Sequence, residues 1–82
     1  MANQIVLYVR LNSGVCRKAK EFLDTRGIPF LELDIEHDSA AKEAFKKLGA
    51  STVPTFEISG KLLVGFQPER LKELLREART IE

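Results

Sequence analysis

The sequence predicts an α/β domain with a mixed four-stranded sheet and helices on both faces, in the order β-α-β-α-β-β-α. Three observations support this prediction: a continuous apolar run near the amino terminus, three amphipathic segments with helical spacing, and two short strand-like runs joined by a tight turn. The chain has 82 residues. This length suits one domain, which we predict over residues 1–82, with a small but sufficient core.

The first strand and first helix follow from the amino-terminal third of the chain. Ile5-Val6-Leu7-Tyr8-Val9 is apolar throughout, which predicts a central strand buried on both faces. Residues 17–26 continue a helix that is expected to end at Gly27, ahead of Pro29. The apolar stripe of this helix is predicted to consist of Val15, Ala19, Phe22 and Leu23.

The second strand and second helix complete a βαβ unit. Residues 31–35 alternate apolar and acidic side chains, which predicts an edge strand parallel to the first. The polar residues 37–39 are suited to capping the next helix, which is expected to close at Gly49. Its buried stripe is predicted to be Ala40, Ala41, Ala44, Phe45 and Leu48.

The last three elements are a hairpin and a helix. Thr55–Ile58 and Lys61–Val64 are predicted strands, joined by a tight turn at Ser59-Gly60. Pro68 is expected to open the final helix, whose apolar stripe is Leu71, Leu74, Leu75 and Ala78. The resulting sheet order is second strand, first, third, fourth.

Composition limits the classes of function. Hydrophobic residues make up 44% and charged residues 30%, with a formal net charge of +1, so no nucleic-acid partner is indicated. No apolar run approaches the roughly 20 residues of a membrane span, and no signal peptide is visible. The single cysteine and single histidine predict no metal site and no internal disulfide. We therefore expect a cytoplasmic monomer.

The sequence is organised around the loop at residues 10–16, which leads from the first strand into the first helix. Ser13 is a natural N-cap, and Cys16 lies where free amides and the helix dipole favour an anion such as a thiolate. A lone cysteine is also common as a small buried hydrophobe. Because Cys16 adjoins the apolar stripe, we expect its side chain to be largely covered.

Ser13-Gly14-Val15-Cys16, followed by Arg-Lys-Ala-Lys-Glu-Phe-Leu, resembles the active-site segment of glutaredoxins and glutaredoxin-like proteins of the thioredoxin fold. The resemblance runs from Ile5 to Ala78. In that family the loop carries Cys-X-X-Cys, and the first cysteine is the nucleophile. The resemblance implies a thiol–disulfide oxidoreductase of cell redox homeostasis and electron transport, with Ser13 and Cys16 at the two catalytic positions.

Two further motifs extend the resemblance. Thr52-Val53-Pro54 resembles the glutaredoxin Thr-Val-Pro, which implies a cis proline facing the reactive loop. Gly65-Phe66-Gln67-Pro68-Glu69 is more similar to the redoxins that serve ribonucleotide reductase. Glutaredoxins have a Gly-Gly pair before a cap that holds the γ-glutamyl carboxylate of glutathione, whereas this chain has Val64 in place of the first glycine.

The resemblance also implies a binding site and partners. Arg10 lies where glutaredoxins often carry a lysine, and it would hold a carboxylate or stabilise a thiolate; alternatively it is a solvated charge at a strand end. The implied partners are a disulfide-containing protein and an electron donor, either glutathione or thioredoxin reductase, with no tightly bound cofactor. The implied substrate-binding residues are Arg10, Thr52, Val53, Pro54, Gly65, Phe66 and Gln67.

Three explanations are compatible with Ser13. It replaces a catalytic cysteine or selenocysteine by engineering, it marks a natural member that has lost the reaction but kept the groove, or Cys16 works alone. A serine-hydrolase role is poorly supported, because the only histidine, His37, follows the second strand. Two hypotheses follow: an oxidoreductase disabled at its attacking position, or a non-catalytic module that binds glutathione or an extended peptide.

Overall fold

The computed structural model describes residues 4–78, and its seven elements follow the predicted order. The strands are β1 (Ile5–Val9), β2 (Leu31–Asp34), β3 (Thr55–Ile58) and β4 (Lys61–Val64). The helices are α1 (Gly14–Thr25), α2 (Ser39–Lys47) and α3 (Pro68–Glu77). Among residues 4–78, no helix is both long and apolar enough to cross a bilayer.

The four strands form one mixed sheet in the order β2-β1-β3-β4, as predicted. β1 pairs in parallel with β2 and antiparallel with β3, and β3 pairs antiparallel with β4. β1 therefore has a hydrogen-bonded neighbour on each edge. This central position explains why its sequence is apolar on both faces.

Alternate side chains of β1 enter two separate hydrophobic clusters. Leu7, which is 0% exposed, belongs to the larger cluster together with residues of α1 and α3. Tyr8 belongs to the smaller cluster on the opposite face, where its ring centroid lies 5.6 Å from that of Phe45 in α2. The sheet is thus covered by α1 and α3 on one face and by α2 on the other, which completes the predicted three-layer arrangement.

Helix caps and turns occur where the sequence predicts them. Asp38 caps α2 by accepting hydrogen bonds from the amides of Ala40 and Ala41. Gly27 follows α1 with φ of 66°, a left-handed conformation that suits glycine. The β3–β4 turn has positive φ at both Ser59 and Gly60, which matches the right-handed twist of the paired strands.

Two residues of the predicted apolar stripes are exposed. Val15 is 48% exposed and Ala40 is exposed, although both fit the spacing of their helices. Each is the second residue of its helix, so it belongs to a first turn that begins in a loop beyond the end of a strand. Cys16, one residue further along α1, takes the buried position instead, with 2% exposure.

We predict that Leu7→Ala lowers the free energy of unfolding by about 2–5 kcal/mol, because it leaves a cavity beneath two helices in the larger cluster. Leu62→Ala is the matched control, since Leu62 is also a strand leucine but is 41% exposed. Its loss should be about 1 kcal/mol or less. Urea unfolding followed by circular dichroism measures both values. Equal losses would show that β1 is not the centre of the core.

Candidate functional site

Strand register places the three sequence motifs at one end of the sheet. Tyr8 lies opposite Thr55, and Thr55 lies opposite Val64. Three segments therefore meet at this end of the sheet: one follows β1, one precedes β3 and one follows β4. These segments are residues 10–13, 52–54 and 65–67, which contain most of the predicted site residues.

Ser13 is the N-cap residue of helix α1, and its side chain makes a capping hydrogen bond. Its φ and ψ are −94° and 120°, and its Oγ accepts a hydrogen bond of 3.2 Å from the amide of Cys16. The amides of Gly14 and Val15 have no protein acceptor within residues 4–78. Position 13 thus adjoins unpaired N–H groups at the positive end of a helix dipole, where a negative charge is stabilised.

Cys16 is buried in the larger hydrophobic cluster, as the sequence predicted. Its exposure is 2%, and it is a free cysteine. Ser13, one turn earlier, is half-buried at the loop. A molecule approaching from solvent therefore reaches the oxygen of position 13 before the sulfur of position 16.

A small cavity of about 50 Å³ connects Arg10, Ser13 and Cys16. Two residues that the sequence analysis missed, Lys20 and Glu32, also line it, and their side chains form an ion pair of 3.0 Å between α1 and β2. The available sequence signal was spacing, because Lys20 lies four residues after Cys16 and so shares its side of the helix.

The Val53–Pro54 peptide is cis, as the resemblance implies. The Pro54 carbonyl accepts a hydrogen bond of 2.7 Å from the amide of Gly65, which joins the second and third segments. Val53 is half-buried and packs against both hydrophobic clusters. The carbonyl of Thr52 accepts from the hydroxyl of Thr55 at 2.6 Å, so this oxygen already has a partner.

The third segment, residues 65–67, lies between β4 and α3. Gly65 has φ of 85°, and the Phe66 ring lies edge-on to the ring of Phe22 with 5.8 Å between centroids. Gln67 is the N-cap residue of α3, but its side chain makes no capping hydrogen bond. Its Nε2 donates to the Val64 carbonyl at 2.9 Å. The amino terminus of α3 therefore has no side-chain cap.

Arg10 lies where β1 ends, with its Nε 3.9 Å from Glu36 Oε2. Both side chains are about half exposed, at 50% and 44%, so this pair is a weak surface contact. Arg10 also lines a second, larger groove beside α2. The sequence predicted a role for Arg10 but gave no indication that it borders two concavities.

His37 contacts Asp34 in the turn after β2 and does not line the cavity that contains Ser13. Its Nδ1 lies 2.7 Å from Asp34 Oδ2, and Asp34 Oδ1 accepts from the amides of Glu36 and His37. Burial opposes ionisation of Asp34, but these hydrogen bonds and His37 outweigh it and lower the pKa of Asp34. Ligand atoms of Asp34, Glu36 and His37 all lie within 4.8 Å of one another. Their hydrogen bonds close the turn after β2.

Fold and site together define a small redox protein of the thioredoxin fold. A strand-to-helix loop, a buried cysteine and a cis proline lie at one end of its sheet. Residues 5–63 match the Glutaredoxin family model. The chain therefore belongs to the glutaredoxin family.

Individual relatives agree with this assignment. Glutaredoxin 3 of Escherichia coli strain K12 is 33% identical over 66 residues, which cover 79% of this chain and 78% of that protein. An uncharacterized glutaredoxin-like 8.6 kDa protein in the rubredoxin operon of Clostridium pasteurianum is 30% identical over 63 residues, covering 76% and 84%. The crystal structure of the thioredoxin-like protein BC3987 superposes with a TM-score of 0.82 at 32% identity, covering 88% of this chain and all of that one.

We predict that Ser13→Ala lowers the free energy of unfolding by about 1 kcal/mol, because the amide of Cys16 loses its acceptor. Ser13→Asp should retain most of the stability, since a carboxylate also caps and favours the positive helix end. Ser51→Ala is the control, because Ser51 is exposed in a loop. Urea unfolding of all three variants measures the effect. If Ser13→Ala and Ser51→Ala unfold alike, the Ser13 hydroxyl does not stabilise α1.

Proposed function

We propose that this protein is a glutaredoxin-type thiol–disulfide oxidoreductase whose attacking position carries Ser13, and that the chain with this serine is nearly inert. The observation that supports the proposal is the position of Ser13 Oγ. It lies at the start of α1, beside two unpaired amides and 3.2 Å from the amide of Cys16. We further propose that the protein acts in the reducing cytoplasm, which a single unpaired cysteine suits.

The reaction requires sulfur at both positions of the motif. A thiolate at position 13 would attack a substrate disulfide, form a mixed disulfide and release one substrate thiolate. The Cys16 thiolate would then attack the mixed disulfide and release the second substrate thiol. The substrate gains two electrons, and the protein is left with a disulfide between positions 13 and 16. A donor returns these two electrons and restores both thiols.

Ser13 cannot perform the first step. An unactivated hydroxyl is a weak nucleophile, and the only histidine is hydrogen-bonded to Asp34. The Ser13 oxygen is already an acceptor in the helix cap. Cys16 has the right chemistry, but it is almost completely covered. With the present residues, neither position offers an exposed thiolate.

We predict that Ser13→Cys raises disulfide reductase activity at least about a hundredfold, because an exposed thiolate replaces a hydroxyl at the helix terminus. The assay measures reduction of insulin, and of a mixed disulfide between glutathione and a peptide, by both forms. Ser51→Cys is the matched control, since it adds an exposed thiol in a loop and not at a helix terminus.

The same assay can reject the proposal. If Ser13→Cys is no more active than Ser51→Cys with either donor, the protein is not an oxidoreductase disabled at position 13. If the serine form is already active and Cys16→Ser abolishes the activity, Cys16 works alone.

We propose thioredoxin reductase, in preference to glutathione, as the electron donor. Val64 replaces the first glycine of the pair that glutaredoxins carry before their glutathione-binding cap, and its side chain is 39% exposed at the end of β4. The Gln67 amide is hydrogen-bonded to the Val64 carbonyl, so it is not directed to a carboxylate at α3. Both features remove part of the implied glutathione site.

We predict that Ser13→Cys turns over faster with thioredoxin reductase than with glutathione at matched substrate concentration. Adding Val64→Gly should raise the glutathione-coupled rate severalfold, because it restores the Gly-Gly pair that glutaredoxins carry before their glutathione-binding cap. Adding Leu62→Gly is the control, since it places glycine on the same strand at another exposed position. Coupled consumption of NADPH follows each donor. A glutathione rate that exceeds the reductase rate before Val64 is changed would refute this preference.

A second candidate is a non-catalytic module that binds glutathione or an extended peptide between residues 10–16, 53–54 and 65–67. The observation that favours it is the Ser13 Oγ hydrogen bond, because the serine has a complete structural role as a helix cap. In this case Ser13→Cys would remain inactive, while glutathione would still shift the amide resonances of these three segments in NMR titrations.

A further inference from the structure

A groove of about 560 Å³ lies between α2 and the carboxyl ends of β1 and β2. It is separate from the small cavity beside Cys16, although Arg10 lines both. Ligands of α/β sheets commonly bind outside the carboxyl ends of parallel strands, and β1 and β2 are the parallel pair here. The volume also falls within the range of ligand-binding pockets.

The floor of the groove is apolar. Ile35 after β2, Phe45 of α2 and Ala50 after α2 contribute to its lining. Ile35 and Phe45 are only 5% and 6% exposed, and both belong to the smaller hydrophobic cluster. They are therefore held in place by the core, so the floor is rigid and provides a preformed apolar surface.

The rim of the groove is positively charged. Lys42 and Lys46 are one helical turn apart on α2, so both project on the groove side. Across residues 4–78, neither lysine forms an ion pair with a carboxylate. Arg10 adds a third cation, and the only acidic residue of the lining is Glu36, which is 3.9 Å from Arg10. The groove therefore carries an excess of positive charge above an apolar floor.

We propose that this groove binds a short acidic segment, containing at least one large apolar side chain, of the protein whose disulfide reacts at position 13. The proposal rests on the proposed function, because it names the class of protein substrate. Arg10 borders both the groove and the reactive loop, so the groove continues the reactive site towards α2. A segment a few residues from the substrate cysteine would place carboxylates on Lys42 and Lys46 and an apolar side chain on the floor.

The experiment uses the unmodified serine protein and three labelled peptides. The first peptide alternates acidic and large apolar residues, Glu-Leu-Asp-Phe-Glu, and the second is its neutral equivalent, Gln-Leu-Asn-Phe-Gln. The third, Glu-Ser-Asp-Ser-Glu, keeps the charge without the apolar side chains. Fluorescence anisotropy should show that the first binds at least about tenfold more tightly than the other two. Its affinity should fall as salt is raised from 50 to about 300 mM, because screening weakens the charge contacts.

Charge-reversal variants locate the binding. Lys42→Glu with Lys46→Glu should weaken binding of the first peptide by about tenfold or more, because two attractions become repulsions. Lys18→Glu with Lys47→Glu is the matched control: it changes the net charge equally at exposed helix positions outside the groove. The control should leave the affinity within about twofold.

Two results would overturn the proposal. One is equal binding of the acidic and neutral peptides, and the other is equal weakening by the two double variants, which would indicate bulk charge alone. Peptide binding requires no sulfur nucleophile, so its outcome is independent of the activity of Ser13→Cys. Failure of the docking proposal and failure of the proposed function are therefore separate observations.

Discussion

The pairing of β1 on both of its edges is the constraint on which the rest of this structure depends. Its parallel bond pattern with β2 directs the intervening helix α1 across one face, and its antiparallel pairing with β3 brings residues 52–54 back to the same end of the sheet. Leu7 and Tyr8 then anchor a separate cluster on each face. A change in this register by one residue would exchange these two faces and separate the loops that form the site.

Ser13 shows how one position serves structure and chemistry together. The start of a helix needs an acceptor for its free amides, and a hydroxyl supplies one. In the proposed reaction a thiolate would occupy the same place, where those amides would stabilise its charge. In this chain the Ser13 oxygen meets part of the structural need by accepting from the amide of Cys16, and position 13 carries a hydroxyl instead of a thiol. The fold of the site is therefore independent of the reaction it would support.

The sequence predicted elements well where local signals and tertiary packing agree. The apolar run of β1, the turn at Ser59-Gly60 and Pro68 at the start of α3 all indicate the element that is observed. Val15 and Ala40 were misjudged because periodicity identifies the side of a helix but not how far that helix extends beyond the sheet. The groove beside α2 was missed because Lys42 and Lys46 have the spacing of an ordinary solvated helix face. Only the ends of β1 and β2 make that face concave.

The hydrogen bond from the Gly65 amide to the Pro54 carbonyl joins two loops through main-chain atoms alone. No side chain takes part, so the distance between the loops does not depend on the identity of their neighbours. The exposed side chains of Val64 and Gln67 can therefore change in character while the main-chain link between the loops stays in place. Substitutions at these two exposed positions therefore alter the surface beside the reactive loop with little cost to the fold.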